Sequence, residues 1–114
     1  MLTRLDKLDK KSAISNILDT MWAKFLPDIR ERVNVLELAV AAASAGKLDS
    51  ALRASAQSTA HKLAGTLGTF GLQRGTELAR ELELRFARGG ISVAEAIALG
   101  RVSAEIRELV EGRD

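Results

Sequence analysis

The sequence has no cysteine and no tyrosine, and it has one proline and one histidine among its 114 residues. Without cysteine, the chain can form neither a disulfide nor a zinc site with thiolate ligands. A metal site built from this chain alone would depend on carboxylates and at most one imidazole, and we predict none. Aromatic residues make up only 4% of the chain, which disfavours the stacking platforms that bind single-stranded nucleic acid.

The charge balance and the lengths of the hydrophobic runs exclude further classes of protein. The formal net charge is +2, which is too small for the basic footprint of a DNA-binding domain, so we predict no nucleic-acid partner. No apolar run is long enough to span a membrane, and residues 1–6 lack the apolar core of a signal peptide. We therefore expect a cytoplasmic protein with no membrane partner.

Good helix formers dominate the chain, and apolar residues recur along it at helical spacing. Ile29, Val33 and Leu36 begin one such stripe, and Gly46 follows it as a candidate left-handed C-cap. Before the last stripe, Ser92 is followed three residues later by glutamate, which is the pattern of a capping box. No segment alternates with the period of a β-strand.

Four amphipathic segments with short connections favour an all-α fold, an antiparallel up-down four-helix bundle. The apolar stripe that precedes Pro27 predicts a short additional N-terminal helix, because proline is best tolerated in the first turn of the helix that follows. One long helix with a kink at Pro27 would show the same stripe. We expect a tail over residues 1–12 and the bundle over residues 13–112, with Trp22, Phe25 and Phe86 in the core.

The single histidine, His61, lies in a segment predicted to be helical whose core stripe is Leu52, Ala56, Ala60, Leu63 and Leu67. At about 100° per residue, His61 lies roughly 140° from the centre of this stripe, so we predict that it points outward. Six neighbours share its outer face, and all but one have small side chains: Ala54, Gln57, Ser58, Ala64, Gly65 and Gly68. Since a helical glycine costs about 1 kcal/mol relative to alanine, we interpret this cleared face as access for a partner protein.

An exposed neutral imidazole is a nucleophile suited to an activated phosphoryl group. The phosphohistidine would need a nearby cation, and Lys62 is adjacent in sequence. A carboxylate that accepts a hydrogen bond from the other ring nitrogen would fix the tautomer. Glu81 and Glu83, in the next predicted helix, are both candidates for that role.

This segment resembles the histidine phosphotransfer (HPt) domain family of bacterial two-component phosphorelays. The family has leucine two residues after the histidine and glycines four, seven and ten residues after it, which here are Leu63, Gly65, Gly68 and Gly71. The resemblance extends more loosely over about residues 14–111 through the order and lengths of the helices. Many members have lysine three residues after the histidine, whereas this chain has Ala64.

The resemblance implies a four-helix bundle that exposes His61 midway along one helix. His61 would accept a phosphoryl group from a receiver-domain aspartate or from a histidine kinase, including a hybrid kinase, and would pass it to a receiver domain of a response regulator. Glu83, 22 residues after His61, would form a hydrogen bond with the imidazole. The domain would be a phosphocarrier and not an enzyme, and it would need no cofactor because Mg²⁺ would sit on the receiver. Lys62, Gln57, Ser58, Ala64, Gly65 and Gly68 complete the predicted site.

Two other functions are consistent with parts of the sequence. A helical adaptor or dimerisation module without phosphotransfer would explain Gly65, Gly68 and Gly71 as points of close helix approach. An enzyme with an acid–base histidine is disfavoured, because the chain has no second histidine and no recognisable nucleophile motif. Phosphoryl transfer from a receiver would separate the phosphocarrier from the adaptor.

Overall fold

A computed structural model describes the backbone of residues 3–113 and the side chains of residues 12–113. It contains four helices, α1 (Thr3–Ser44), α2 (Ser50–Thr69), α3 (Gln73–Arg88) and α4 (Val93–Glu111). Each helix packs against two others, in the cyclic order α1, α2, α3, α4. The all-α four-helix prediction is confirmed. Over residues 3–113, no helix combines the length and the apolar character needed to cross a membrane.

The prediction of a separate short N-terminal helix is wrong, because α1 continues through Pro27. Proline removes one hydrogen bond to the carbonyl four residues earlier. Here both Ala23 and Pro27 are exposed, so water can reach that carbonyl oxygen. Trp22 and Ile29, on either side of Pro27, are both buried, so α1 is packed against the core both before and after the proline.

The predicted boundary between an N-terminal tail and the bundle falls within α1. Helical backbone extends back to Thr3, so it includes most of the segment expected as a tail over residues 1–12. Residues 1 and 2 lie outside the described part of the chain. The boundary between residues 12 and 13 stays a prediction.

The core between the helices is formed mainly by aliphatic side chains, together with the aromatic rings of Trp22, Phe70 and Phe86. Its largest fully buried members are Phe86, Ile29, Leu36, Leu63, Leu67, Leu78, Leu82, Ile106, Val33 and Val110. Burying one such side chain contributes about 1.5–3 kcal/mol. Trp22 and Phe86 are buried as predicted, whereas the placement of Phe25 in the core is wrong, since it is 41% exposed. Phe25 lies beside Phe70, where α2 has already ended, so only one side of its ring is covered.

Both ends of α2 are fixed by caps. The Asp49 side chain accepts a hydrogen bond from the Leu52 N–H at 2.7 Å. At the other end, Gly71 has φ +76°, and the N–H groups of Gly71 and Leu72 donate to the carbonyls of Gly68 and Leu67 at 3.1 and 2.9 Å. This is a Schellman motif. The caps define α2 as a 20-residue helix with His61 near its middle.

The other predicted caps are also confirmed. Gly46 has φ +67° after α1, and Ser92 forms a capping box with Glu95 at the start of α4. The Glu95 carboxylate also pairs with Arg85 of α3. The hydrogen bond from Arg85 lowers the pKa of Glu95 below its ordinary value, so this carboxylate stays ionised and keeps α3 and α4 connected.

We expect Gly71→Ala to destabilise the protein by about 1–2 kcal/mol, because a left-handed backbone costs that much for a residue with a Cβ atom. Urea unfolding followed by circular dichroism would measure the change. Gly65→Ala is the matched control, because a Cβ atom there meets nothing within 4 Å and Gly65 lies inside α2. Equal unfolding free energies for Gly71→Ala and the unsubstituted protein would contradict the role of Gly71 in the cap.

Candidate functional site

His61 points away from the core, as its position on the helical wheel predicts. Its side chain is 74% exposed, whereas Ala60 and Leu63 beside it are fully buried. Because the backbone of α2 is helical on both sides of His61, the imidazole projects from a rigid support. It is accessible to another macromolecule.

A carboxylate from α3 orients the imidazole. Nδ1 of His61 lies 2.8 Å from Oε2 of Glu83, and the Glu83 side chain is only 25% exposed. A carboxylate can only accept a hydrogen bond, so a neutral ring in this contact carries its proton on Nδ1 and presents the lone pair on Nε2. Glu81, the other candidate, is exposed and forms no hydrogen bond with His61 among the side chains of residues 12–113.

The contact between His61 and Glu83 follows from the register of two antiparallel helices. Closer to the turn between α2 and α3, Oγ1 of Thr76 donates a hydrogen bond to the carbonyl of Ala64 at 2.9 Å. On the other side of Glu83, about one helical turn after it, the carbonyl of Phe86 accepts a hydrogen bond from Arg53 of α2 at 2.8 Å. These contacts on either side of Glu83 hold α3 in place along α2.

His61 lies in a shallow groove of about 340 Å³ between α2 and α3. The groove, which we call the histidine groove, is lined by Ala54, Gln57, Ser58, His61, Lys62 and Glu83. It thus brings together five of the predicted site residues. Lys62 is exposed, and within residues 12–113 its ammonium group has no ion pair or hydrogen bond. That ammonium group is therefore available to an anion at the imidazole.

Three glycines follow His61 in the sequence, namely Gly65, Gly68 and Gly71. Their surroundings in the structure differ. A Cβ atom at Gly65 would meet nothing within 4 Å, so helix packing does not require glycine there. A Cβ atom at Gly68 would lie 3.3 Å from Oγ1 of Thr76, and Gly71 belongs to the cap of α2. The glycine that packing between α2 and α3 requires is instead Gly75 of α3, where a Cβ atom would lie 2.9 Å from Cδ1 of Leu67.

The prediction that Ala64 shares the outer face with His61 is wrong. Ala64 is only 3% exposed, and its carbonyl accepts the hydrogen bond from Thr76. On the helical wheel Ala64 lies about 80° from the centre of the core stripe, closer to it than the other residues assigned to the outer face. Because α2 packs against both α1 and α3, its buried arc is wider than one stripe and includes Ala64.

A second groove, not predicted, lies on the other side of α2. It measures about 310 Å³ and is lined by Met21, Phe25, Asp28, Ile29, Arg32, Thr66, Thr69 and Phe70. We call it the α1–α2 groove. Arg32 of α1 donates to Oγ1 of Thr66 at 2.9 Å across its floor, and Thr66 lies one turn after Lys62. The α1–α2 groove therefore adjoins the surface that presents His61.

Two comparisons with known proteins give a match. A family model described as the Hpt domain matches residues 20–112. Protein RcaC from Microchaete diplosiphon is 33% identical over 75 residues, which cover 66% of this chain and 12% of that protein. This chain therefore spans a small part of the length of that relative. No solved structure matches the chain.

Proposed function

Because the chain belongs to the Hpt domain family, we propose that it is a phosphocarrier that accepts a phosphoryl group on His61 and passes it to a receiver domain. The donor is a phosphorylated receiver aspartate or a histidine kinase, including a hybrid kinase. The observation that carries this proposal is the contact between His61 and Glu83. It holds an exposed imidazole with Nδ1 occupied and Nε2 open to solvent.

The transfer step uses the free nitrogen of the ring. The lone pair of Nε2 attacks the phosphorus of the receiver's aspartyl phosphate, so that an N–P bond forms as the acyl O–P bond breaks. The receiver's carboxylate leaves with the electron pair of that bond. The proton on Nδ1 stays in the hydrogen bond to Glu83, whose negative charge balances the positive charge of the phosphorylated ring.

The chain's other groups around His61 bind and admit the phosphoryl group. The ammonium group of Lys62 neutralises phosphoryl oxygens, and Gln57 and Ser58 line the groove through which they enter. Gly65 and Gly68 leave room for the donor on the following turns of α2. The Mg²⁺ ion that such a transfer uses sits on the receiver, and the carrier acts in the cytoplasm with no nucleic-acid or membrane partner.

The receiver has to cover the surface around His61 to bring its aspartate to Nε2. The adjoining α1–α2 groove exposes two apolar side chains, with Met21 38% and Phe25 41% exposed. Exposed apolar groups next to a reactive residue suit a protein interface. We propose that the receiver docks over α1 and α2 and buries both side chains.

The experiment that tests the proposed function is phosphorylation of the purified chain. Phosphoramidate serves as a donor that needs no partner, and a panel of phosphorylated receiver domains from the same organism provides the protein donors. We expect a phosphorylated form that is stable in alkali and lost in acid. If neither phosphoramidate nor any receiver labels the chain, the phosphocarrier proposal fails, and the adaptor function takes its place.

We expect Glu83→Ala to slow transfer from a receiver by about three- to tenfold, the rate factor that corresponds to the free energy of one hydrogen bond. Without an acceptor at Nδ1, the neutral ring also populates the tautomer with the proton on Nε2. In that tautomer Nε2 has no free lone pair with which to attack the phosphorus. Nitrogen-15 NMR of the imidazole would show this shift in tautomer. Glu83→Gln is the control, since its amide oxygen still accepts from Nδ1–H, and a Glu83→Ala variant with the original tautomer and rate would contradict the role of Glu83.

A further inference from the structure

The space between α2 and α3 continues past the histidine groove toward the turn that joins them. This next groove measures about 380 Å³ and is lined by Gly68, Gly71, Gln73, Thr76, Glu77 and Arg80. We call it the arginine groove, because Arg80 is its only basic residue. Of its lining residues, only Gly68 has a part in the proposed function described so far.

Arg80 faces α2 beside the phosphorylation site. Thr76, Arg80 and Glu83 are spaced by four and three residues, so they share one face of α3. The two outer members both contact α2, since Thr76 donates a hydrogen bond to the carbonyl of Ala64 and Glu83 hydrogen-bonds with His61. Arg80 lies between them, with its Cβ atom about 5–6 Å from that of Glu83.

The guanidinium of Arg80 has no hydrogen-bonding or ionic partner among the side chains that the structure describes. Arg80 is exposed, and none of the hydrogen bonds or ion pairs among residues 12–113 involves it. Two other arginines of α3 differ, because Arg74 pairs with Glu105 and Arg85 pairs with Glu95. Glu77, which shares the arginine groove, lies 3.7 Å from Arg74.

The opposite wall leaves space for the Arg80 side chain. On α2 this wall presents Gly68, and Gly65 lies one turn earlier with open space around it. Ala64 is short and buried, so no long side chain of α2 rises between Arg80 and the imidazole. A guanidinium can therefore extend along α2 to an anion bound at His61.

From this geometry we infer that Arg80 binds the phosphoryl group transferred at His61, as a second cation opposite Lys62. A guanidinium donates paired hydrogen bonds that match two phosphoryl oxygens, and its charge stabilises the negative charge that spreads over them during transfer. Position 64, where many family members carry lysine, holds alanine here. Arg80, which lines the groove next to this part of α2, would supply the cation from α3. This inference rests on the proposed function.

Single-turnover transfer from a phosphorylated receiver tests this inference. The variants are Arg80→Gln and Arg80→Lys, with Arg88→Gln as the matched control, because Arg88 is an exposed arginine of α3 that lines neither groove. Measurement over a range of receiver concentrations separates the maximal rate from the half-saturating concentration. We expect Arg80→Gln to lower the maximal rate about tenfold, Arg80→Lys to restore part of it, and Arg88→Gln to leave it unchanged.

Labelling by phosphoramidate provides a second readout in which no receiver takes part. We expect Arg80→Gln to slow this labelling as well, because the same oxygens are stabilised. If only the half-saturating concentration or its salt dependence changes, Arg80 contacts the receiver and the inference is wrong. If the unsubstituted chain is labelled and Arg80→Gln is labelled equally fast, the inference fails while the proposed function stands. A chain that no donor labels would overturn both.

Discussion

His61→Gln is expected to abolish phosphorylation by phosphoramidate and by every receiver that labels the unsubstituted chain. Glutamine carries no nucleophilic nitrogen, and no second histidine is present to replace the first. The fold should persist, because the side chain is 74% exposed and exposed substitutions usually change the free energy of unfolding by less than about 0.5 kcal/mol. Labelling and thermal unfolding of the same preparation would separate loss of the acceptor from loss of the fold.

Arg88→Gln is the control for this experiment, since it changes an exposed residue of α3 outside the histidine groove. It should be labelled at the rate of the unsubstituted chain. Label that persists in His61→Gln would place the acceptor on another residue. The stability of that label in acid would then identify it as a hydroxyl ester and not a phosphohistidine, and the assignment of His61 would be wrong.

Gly65→Arg is expected to slow transfer from a receiver on the order of 100-fold, because small displacements of reacting groups cost rates of that size. The new side chain would project one turn after His61, into space that a receiver must enter. Stability should not fall, since arginine favours a helix over glycine by close to 1 kcal/mol. A variant that is at least as stable and yet slow would show that Gly65 is kept for access.

A size series makes this test sharper. A Cβ atom at Gly65 meets nothing within 4 Å, so Gly65→Ala should raise the free energy of unfolding by about 0.5–1 kcal/mol. It should slow transfer far less than Gly65→Arg. Labelling by phosphoramidate, which is small, should be little affected by either variant. Equal transfer rates from a receiver for arginine, alanine and glycine at this position would contradict the role of Gly65 in access.

Local patterns predicted those features that depend on one helix at a time. The spacing of apolar residues predicted α2, α3, α4 and the part of α1 after Pro27, and it predicted the outward direction of His61. The glycine and serine signals predicted the caps at Gly46 and Ser92. These features follow from backbone geometry and hydrogen-bond chemistry within a few residues. From the residues alone Glu83 was one of two candidates, and the family resemblance selected it. The register of α3 against α2 brings Glu83 and not Glu81 to His61.

The errors concern features that depend on neighbouring helices. Ala64 was misplaced because a wheel drawn on one stripe does not include the additional arc that α3 covers. Phe25 was misplaced because the end of α2, beside Phe70, decides which part of α1 is covered. Neither Gly75 nor Arg80 was placed at the site, because a tight packing contact or a shared groove belongs to two helices and leaves no signal in the sequence of either helix alone.

The fixed orientation of the imidazole also has a thermodynamic consequence. In the proposed function, Glu83 would hold the same nitrogen open for a phosphoryl group that arrives and for one that departs. Transfer would be reversible, because the forward and reverse steps with one partner pass through the same transition state. A carrier of this kind would change the rate of exchange between its partners and not the equilibrium between them. The relative amounts of its phosphorylated and unphosphorylated partners then set the direction of net flow, and doubling the pool of one receiver should draw phosphoryl groups toward it without any change in the carrier.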